Sequence, residues 1–156
     1  METQVSSQVR VLGPDDAHSV PFLDGSVMSF LARGEDTEQL VSFWEFTMPA
    51  GASGPPPHVH NGHDELFYVV SGELVVHTAT GDVAAPPRNL VVVPKGAQHT
   101  FSNVGNGPMR MVGTFSPAGF ENYFDELAAE LAKHQGARPD ASVIAGLYAR
   151  YDSELV

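Results

Sequence analysis

The sequence predicts an all-β barrel or sandwich followed by a helical C-terminal segment. Three observations carry that expectation. β-rich runs of four to nine residues recur from Val20 to Phe115, with Gly, Pro, Asn and Asp clusters between them, which is the spacing of short antiparallel strands. After Phe115 the apolar period changes, and Phe120, Tyr123, Phe124, Leu127 and Leu131 fall on one helical face. The chain is 156 residues long, the size of one ordinary domain, able to bury about two thirds of its unfolded surface without disulfides.

Residues 1–25 read as an N-terminal arm. Its β-prone pieces, Val9 to Leu12 and Val20 to Leu23, flank the turn-rich Gly13-Pro14-Asp15-Asp16 and are expected to add strands to a sheet edge. The barrel proper is expected over 26–115. Ser26 to Arg33 and Leu40 to Met48 are its first strands, joined at Gly34 to Thr37. In the second, Leu40, Trp44, Phe46 and Met48 share the apolar parity. Pro49 to Pro57 is a proline-stiffened loop leading to His58. Glu65 to Val70 and Glu73 to Thr78 around Ser71-Gly72 carry a hairpin signal, and Thr80-Gly81-Asp82 is another turn. Pro86-Pro87-Arg88 is excluded from a central strand, so it leads into Asn89 to Val93. His99 to Val104 and Met109 to Phe115 complete the barrel.

Residues 116–156 are expected to be helical, with no internal repeat or linker to split the chain. Ser116 is the expected N-cap with Pro117 at the first helical position, and Gly136 is the stop. A second helix is expected from about Ala141 to Arg150, with Val143, Leu147 and Tyr151 facing inward. These apolar positions are core rather than a cofactor box.

Composition excludes several classes of function. Eight basic against nineteen acidic residues leave a formal charge of -11, which repels phosphate backbones and anionic lipid, so neither nucleic acid nor a membrane surface is an expected partner. No apolar run reaches membrane-spanning length. The absence of cysteine removes thiolate chemistry, Cys-rich zinc sites and disulfide frameworks. Met1 to Gln8 has neither a basic nor an apolar region of the kind a signal peptide needs, and the expected location is cytoplasmic.

The chemistry lies in histidines. His58 and His60 are two residues apart, which on an extended segment places both on one face. Glu65 is expected on the neighbouring strand, and His99 on a strand across the barrel. Three imidazoles and one carboxylate suit a first-row transition metal. His63 and Asp64 read as solvated bystanders on the turn, and His18, His77 and His134 as ordinary surface histidines.

The run His58-Val59-His60, four residues, Glu65, six residues, Gly72 resembles the first signature of the cupin superfamily. Pro94-Lys95-Gly96-Ala97-Gln98-His99-Thr100-Phe101-Ser102-Asn103 resembles the second. Ala52 and Arg88 stand where glycines usually open each signature. The resemblance implies an antiparallel jelly-roll barrel holding one divalent metal per chain (Fe, Ni, Mn, Zn, Co or Cu) on His58, His60, Glu65 and His99. It also implies turns at Gly72 and Gly96 and an Asn103 bonded within the barrel wall. The flanks are similar to bacterial monocupins described as quercetin 2,3-dioxygenase-like. The expected activity is therefore a metal-dependent dioxygenase acting on a small aromatic or polyketide-like molecule, with Glu65 as ligand or general base. Two alternatives stand beside it: a non-redox cyclase, isomerase, dehydratase or lyase of secondary metabolism, and a ligand-binding protein without catalysis. Barrels of this resemblance commonly pair, so a homodimer is expected.

Overall fold

The computed structural model describes residues 7–156, and the first six residues of the expected arm lie outside it. In chain order the elements are β1 (His18–Pro21), β2 (Val27–Ala32), β3 (Ser42–Met48), β4 (His58–His60), β5 (Asp64–Ser71), β6 (Leu74–Thr78) and β7 (Gly81–Ala85). They continue with β8 (Leu90–Val93), β9 (His99–Asn103), β10 (Met109–Ser116), α1 (Glu121–Lys133), α2 (Ala141–Ala149) and β11 (Ser153–Leu155). One sheet runs β1-β2-β3-β10-β5-β8 and the other β11-β4-β9-β6-β7. Every pairing is antiparallel, and the two sheets enclose one core.

Alternation builds that core. Ser42, Trp44, Phe46 and Met48 of β3 point inward, as do Met109, Met111 and Phe115 of β10. Phe101 of β9 meets Phe46 and Phe67 of the opposite sheet at ring-centroid distances of 5.9 and 5.8 Å. Each such side chain contributes about 1.5–3 kcal/mol of burial free energy. Leu40 is the exception, because the chain turns before it: β3 starts at Ser42, and Leu40 is 70% exposed.

The other departures from expectation have local causes. Val9 and Val11 are exposed coil, and only the second piece of the arm pairs, as β1 at the edge of the first sheet. The expected hairpin at Ser71-Gly72 does not form, because β5 and β6 belong to different sheets. Gly72 is where the chain crosses between them. Its φ is +93°, and a Cβ there would lie 2.6 Å from Met109 Cα, a packing that admits only glycine. The real hairpin is β6 to β7. Arg88, in one of the positions where glycine opens the signature, has a φ of +72°, a conformation that glycine adopts without strain.

Ser116 does not cap a helix. It ends β10 and donates its hydroxyl to Leu40 O at 3.1 Å, and α1 starts at Glu121. Tyr123, Phe124, Leu127 and Leu131 are buried as the period predicts. Gly136, with a φ of +83°, closes the helix by donating its N–H to Leu131 O at 2.7 Å. In α2 the inner face is Ile144, Leu147 and Tyr148, whereas Val143 and Tyr151 are only half-buried. α1 is tied to the connection between β2 and β3 by polar contacts. Glu121 Oε1 accepts from Gly34 N at 2.8 Å, and Asp125 accepts from Arg33 Nη2 at 2.8 Å. After α2 the chain returns as β11, a strand that short polar sequence does not announce, and it pairs with β4.

Candidate metal centre

β4 presents His58 and His60 to the interior, and the two Nε2 atoms lie 3.1 Å apart. His99 opens β9 directly opposite His58 in the same sheet. Glu65 comes from β5 in the facing sheet and crosses the interior, with Oε2 3.2 Å from His99 Nε2 and 3.4 Å from His60 Nε2. The expected arrangement is thus inverted: His99 is the neighbour of β4, and the carboxylate is the group that comes from across the barrel. Among the described residues, His58, His60 and His99 bring one ligand nitrogen each within 4.8 Å of one another. All four side chains are buried.

The donor chemistry fits a cation. His58 Nδ1 is 2.9 Å from Pro56 O, and His99 Nδ1 is 3.0 Å from Ala97 O. A carbonyl only accepts, so each of these rings carries its proton on Nδ1. His60 Nδ1 is 2.8 Å from Ser153 Oγ, whose own hydrogen goes to Tyr151 O at 3.0 Å. All three Nε2 atoms therefore point at one another and at a carboxylate, and the proton through which His99 Nε2 bonds Glu65 is the one a bound cation would displace. Outer hydrogen bonds of this kind fix ring orientation and tautomer in metal sites.

Burial and charge set the titration. Burial, with the neighbouring His99 and His60, pushes the His58 imidazole down to about 3. At Glu65 burial works against ionisation, but the adjacent His60 and His99 imidazoles win and hold the carboxyl well below its usual range. Burial also opposes protonation of His99, and its bond to Glu65 more than compensates, so His99 is raised. Asp64 stays at the rim, where Oδ1 accepts from Lys95 N at 2.9 Å.

His63 is the main correction. It is not solvated but buried, its ring 4.2 Å from that of His60 and 4.7 Å from Phe120, with Nε2 lacking a hydrogen-bond partner. Burial first, then His60, pushes it down to about 3. Its shared parity with Glu65, from the residue just before β5, was the available signal. Ser153 had none, because one serine beyond a helix carries no pattern. His77 also lies off the site, bonded to Asp82 and Ser102.

These shifts make acid sensitivity a specific expectation for the metal-free protein. In the unfolded chain His58 and His63 take up protons near pH 6.5, but in the fold only near 3. Between those values the unfolded state binds more protons, so stability falls as pH falls, by about 1.4 kcal/mol per pH unit for each full proton. Glu65, depressed in the fold, adds stability above its ordinary value that is lost on further acidification. Urea titrations at pH 7, 6, 5 and 4 should show a progressive decline; equal stability at pH 7 and 4 would refute the assignment.

The helices close the interior over this cluster. Tyr148 stacks on His58 at 5.0 Å, Phe120 meets His60 edge-on at 4.5 Å, and Tyr123 stacks on Tyr148 at 4.7 Å. Tyr123 Oη has no directed hydrogen bond, although the adjacent Tyr148 phenol acts on it. Burial raises both phenols, so both are donors at neutral pH. The space left among His58, His60, Glu65, Phe46 and Phe101 is about 20 Å³, room for about one water.

Residues 44–115 match the family model described as Cupin domain. The barrel is a cupin fold. A segment of 65 residues is 38% identical to Germin-like protein 1-2 of Oryza sativa subsp. japonica, covering 38% of this chain and 29% of that protein. The chain thus spans well under two thirds of that relative. KdgF from Halomonas sp. superposes with a TM-score of 0.64 at 19% identity, over 74% of this chain and 99% of that one. The polyketide cyclase RemF from Streptomyces resistomycificus gives 0.60 at 17%, over 70% and 80%. At such identities the likeness shows the fold. Together these matches support the cupin superfamily. No helix among the described residues is long and apolar enough to cross a membrane.

Proposed function

We propose that this cupin is a metal-dependent enzyme acting on a small aromatic or polyketide-like molecule. The observation that carries the reading is the convergence of three Nε2 atoms on a buried carboxylate, with every Nδ1 engaged elsewhere. A divalent first-row metal held by His58, His60 and His99, with or without Glu65, supplies Lewis acidity, and iron, nickel, manganese or copper supplies redox chemistry as well. Glu65 is held as carboxylate, the form that accepts a proton from an acidic hydroxyl. The Tyr123 and Tyr148 phenols stay protonated and offer donors to a substrate oxygen. Phe46, Phe101, Phe115 and Phe120 exclude water and suit a flat apolar ring. Since the remaining space holds about one water, a ring enters only by displacing part of the aromatic cap.

Within this reading the first activity is a quercetinase-like dioxygenase, in keeping with the Asp64-Glu65 pair and the Pro-rich lead to His58. The likeness to RemF supports a second, a cyclisation without redox change. Oxygen uptake separates them. With metal-loaded protein and flavonol or polyphenol substrates, the first reading expects consumption of dioxygen in step with substrate loss. Turnover undiminished under strict anoxia overturns it and leaves the non-redox reading.

A further inference from the structure

We propose that Ser153 is the positioning residue that commits His60 to metal binding, so that the C-terminal strand is part of the metal centre. This rests on the metal reading above and extends it to a residue outside both sequence signatures. β4 has three residues and little support from β9, with which it pairs only at His58 and His99. On its other side all three pair with β11: His60 with Ser153, Val59 with Glu154 and His58 with Leu155. Asn61 N donates to Asp152 O at 2.8 Å and Val156 N to Pro57 O at 3.0 Å, extending that ladder at both ends.

Ser153 differs from the other partners of the cluster. Pro56 O and Ala97 O serve His58 and His99 from two residues away in sequence, whereas Ser153 Oγ reaches His60 Nδ1 from 93 residues away. Its single hydroxyl hydrogen goes to Tyr151 O, which leaves Oγ to accept from His60 Nδ1–H. That bond selects the tautomer with a free Nε2 lone pair. Without it the alternative is close at hand. A proton on Nε2 would face Glu65 Oε2, 3.4 Å away, and the ligand position would then hold a hydrogen. Ser153 is itself buried, so no bulk water replaces its hydroxyl.

Zn²⁺ affinity, measured by competition with a chromophoric chelator, tests this in the full chain. Ser153→Ala and Ser153→Val should weaken Zn²⁺ binding by about 10–100-fold, and Ser153→Thr should stay within about threefold of wild type. Thr and Val share a shape and differ in the hydroxyl, so that pair decides the question if the alanine variant fails to fold. A readout independent of metal is the histidine ¹⁵N spectrum of the metal-free protein, where His60 should carry its proton on Nδ1 in wild type and shift toward Nε2 in Ser153→Ala. Wild-type affinity in Ser153→Ala, Thr as weak as Val, or an unchanged His60 tautomer overturns the assignment. His99→Ala is the reference: if it too binds Zn²⁺ like wild type, the metal reading has failed rather than the role of Ser153.

Discussion

His99→Ala is expected to bring bound divalent metal from about one equivalent per chain to near none, since one of three converging Nε2 donors disappears. The same change leaves Glu65 buried with only His60, at 3.4 Å, as a direct partner. Breaking a buried ion pair on one side costs about 3–5 kcal/mol, because the remaining charge is uncompensated. Metal analysis and urea titration of the metal-free form measure the two losses separately. His58→Ala supplies the contrast. It removes a donor of the same kind, but His58 bonds Pro56 O rather than Glu65, so metal is lost with a smaller change in apo stability. Full metal content in both folded variants refutes the site.

Glu65→Gln should lower turnover by about 10²–10⁴-fold, the range for a lost general base. The amide preserves the shape but removes the charge that holds His99 up, so His99 falls from its raised value toward and below the ordinary imidazole range under the burial that remains. The stability that the raised His99 contributed, full below about pH 6.5 and lost as pH rises through the raised value, should vanish with it. Metal content resolves which role Glu65 plays. A variant with full metal and little turnover identifies a base, and one that loses metal identifies a ligand. Undiminished turnover excludes both.

Much of this was legible because it is periodic or local. The inward alternation of β3 and β10 follows from residue parity alone, and so does the face of α1. His58 and His60 need only an extended backbone to share a face. Gly72 was recognisable as a turn, but not as a crossing between sheets, because a two-residue connection reads the same whether the strands it joins pair or separate. Ser116 misled for a related reason. Ser-Pro is a good helix start in isolation, and the eighth strand residue of β10, held by its neighbours in the sheet, overrides it.

By itself the sequence determined the barrel, the approximate strands, the helical close and the four side chains that meet in the middle, since these depend on pattern, turn chemistry and residue type. Tertiary structure alone decided the rest. It put Glu65 opposite the histidines instead of beside them, buried His63 against His60, filled the interior with Phe120, Tyr123 and Tyr148, and returned β11 to bring Ser153 to His60. The physical reason is common to all four. Each is fixed by which sheet a strand joins and by what fills the space left over, and neither quantity is encoded in any one segment.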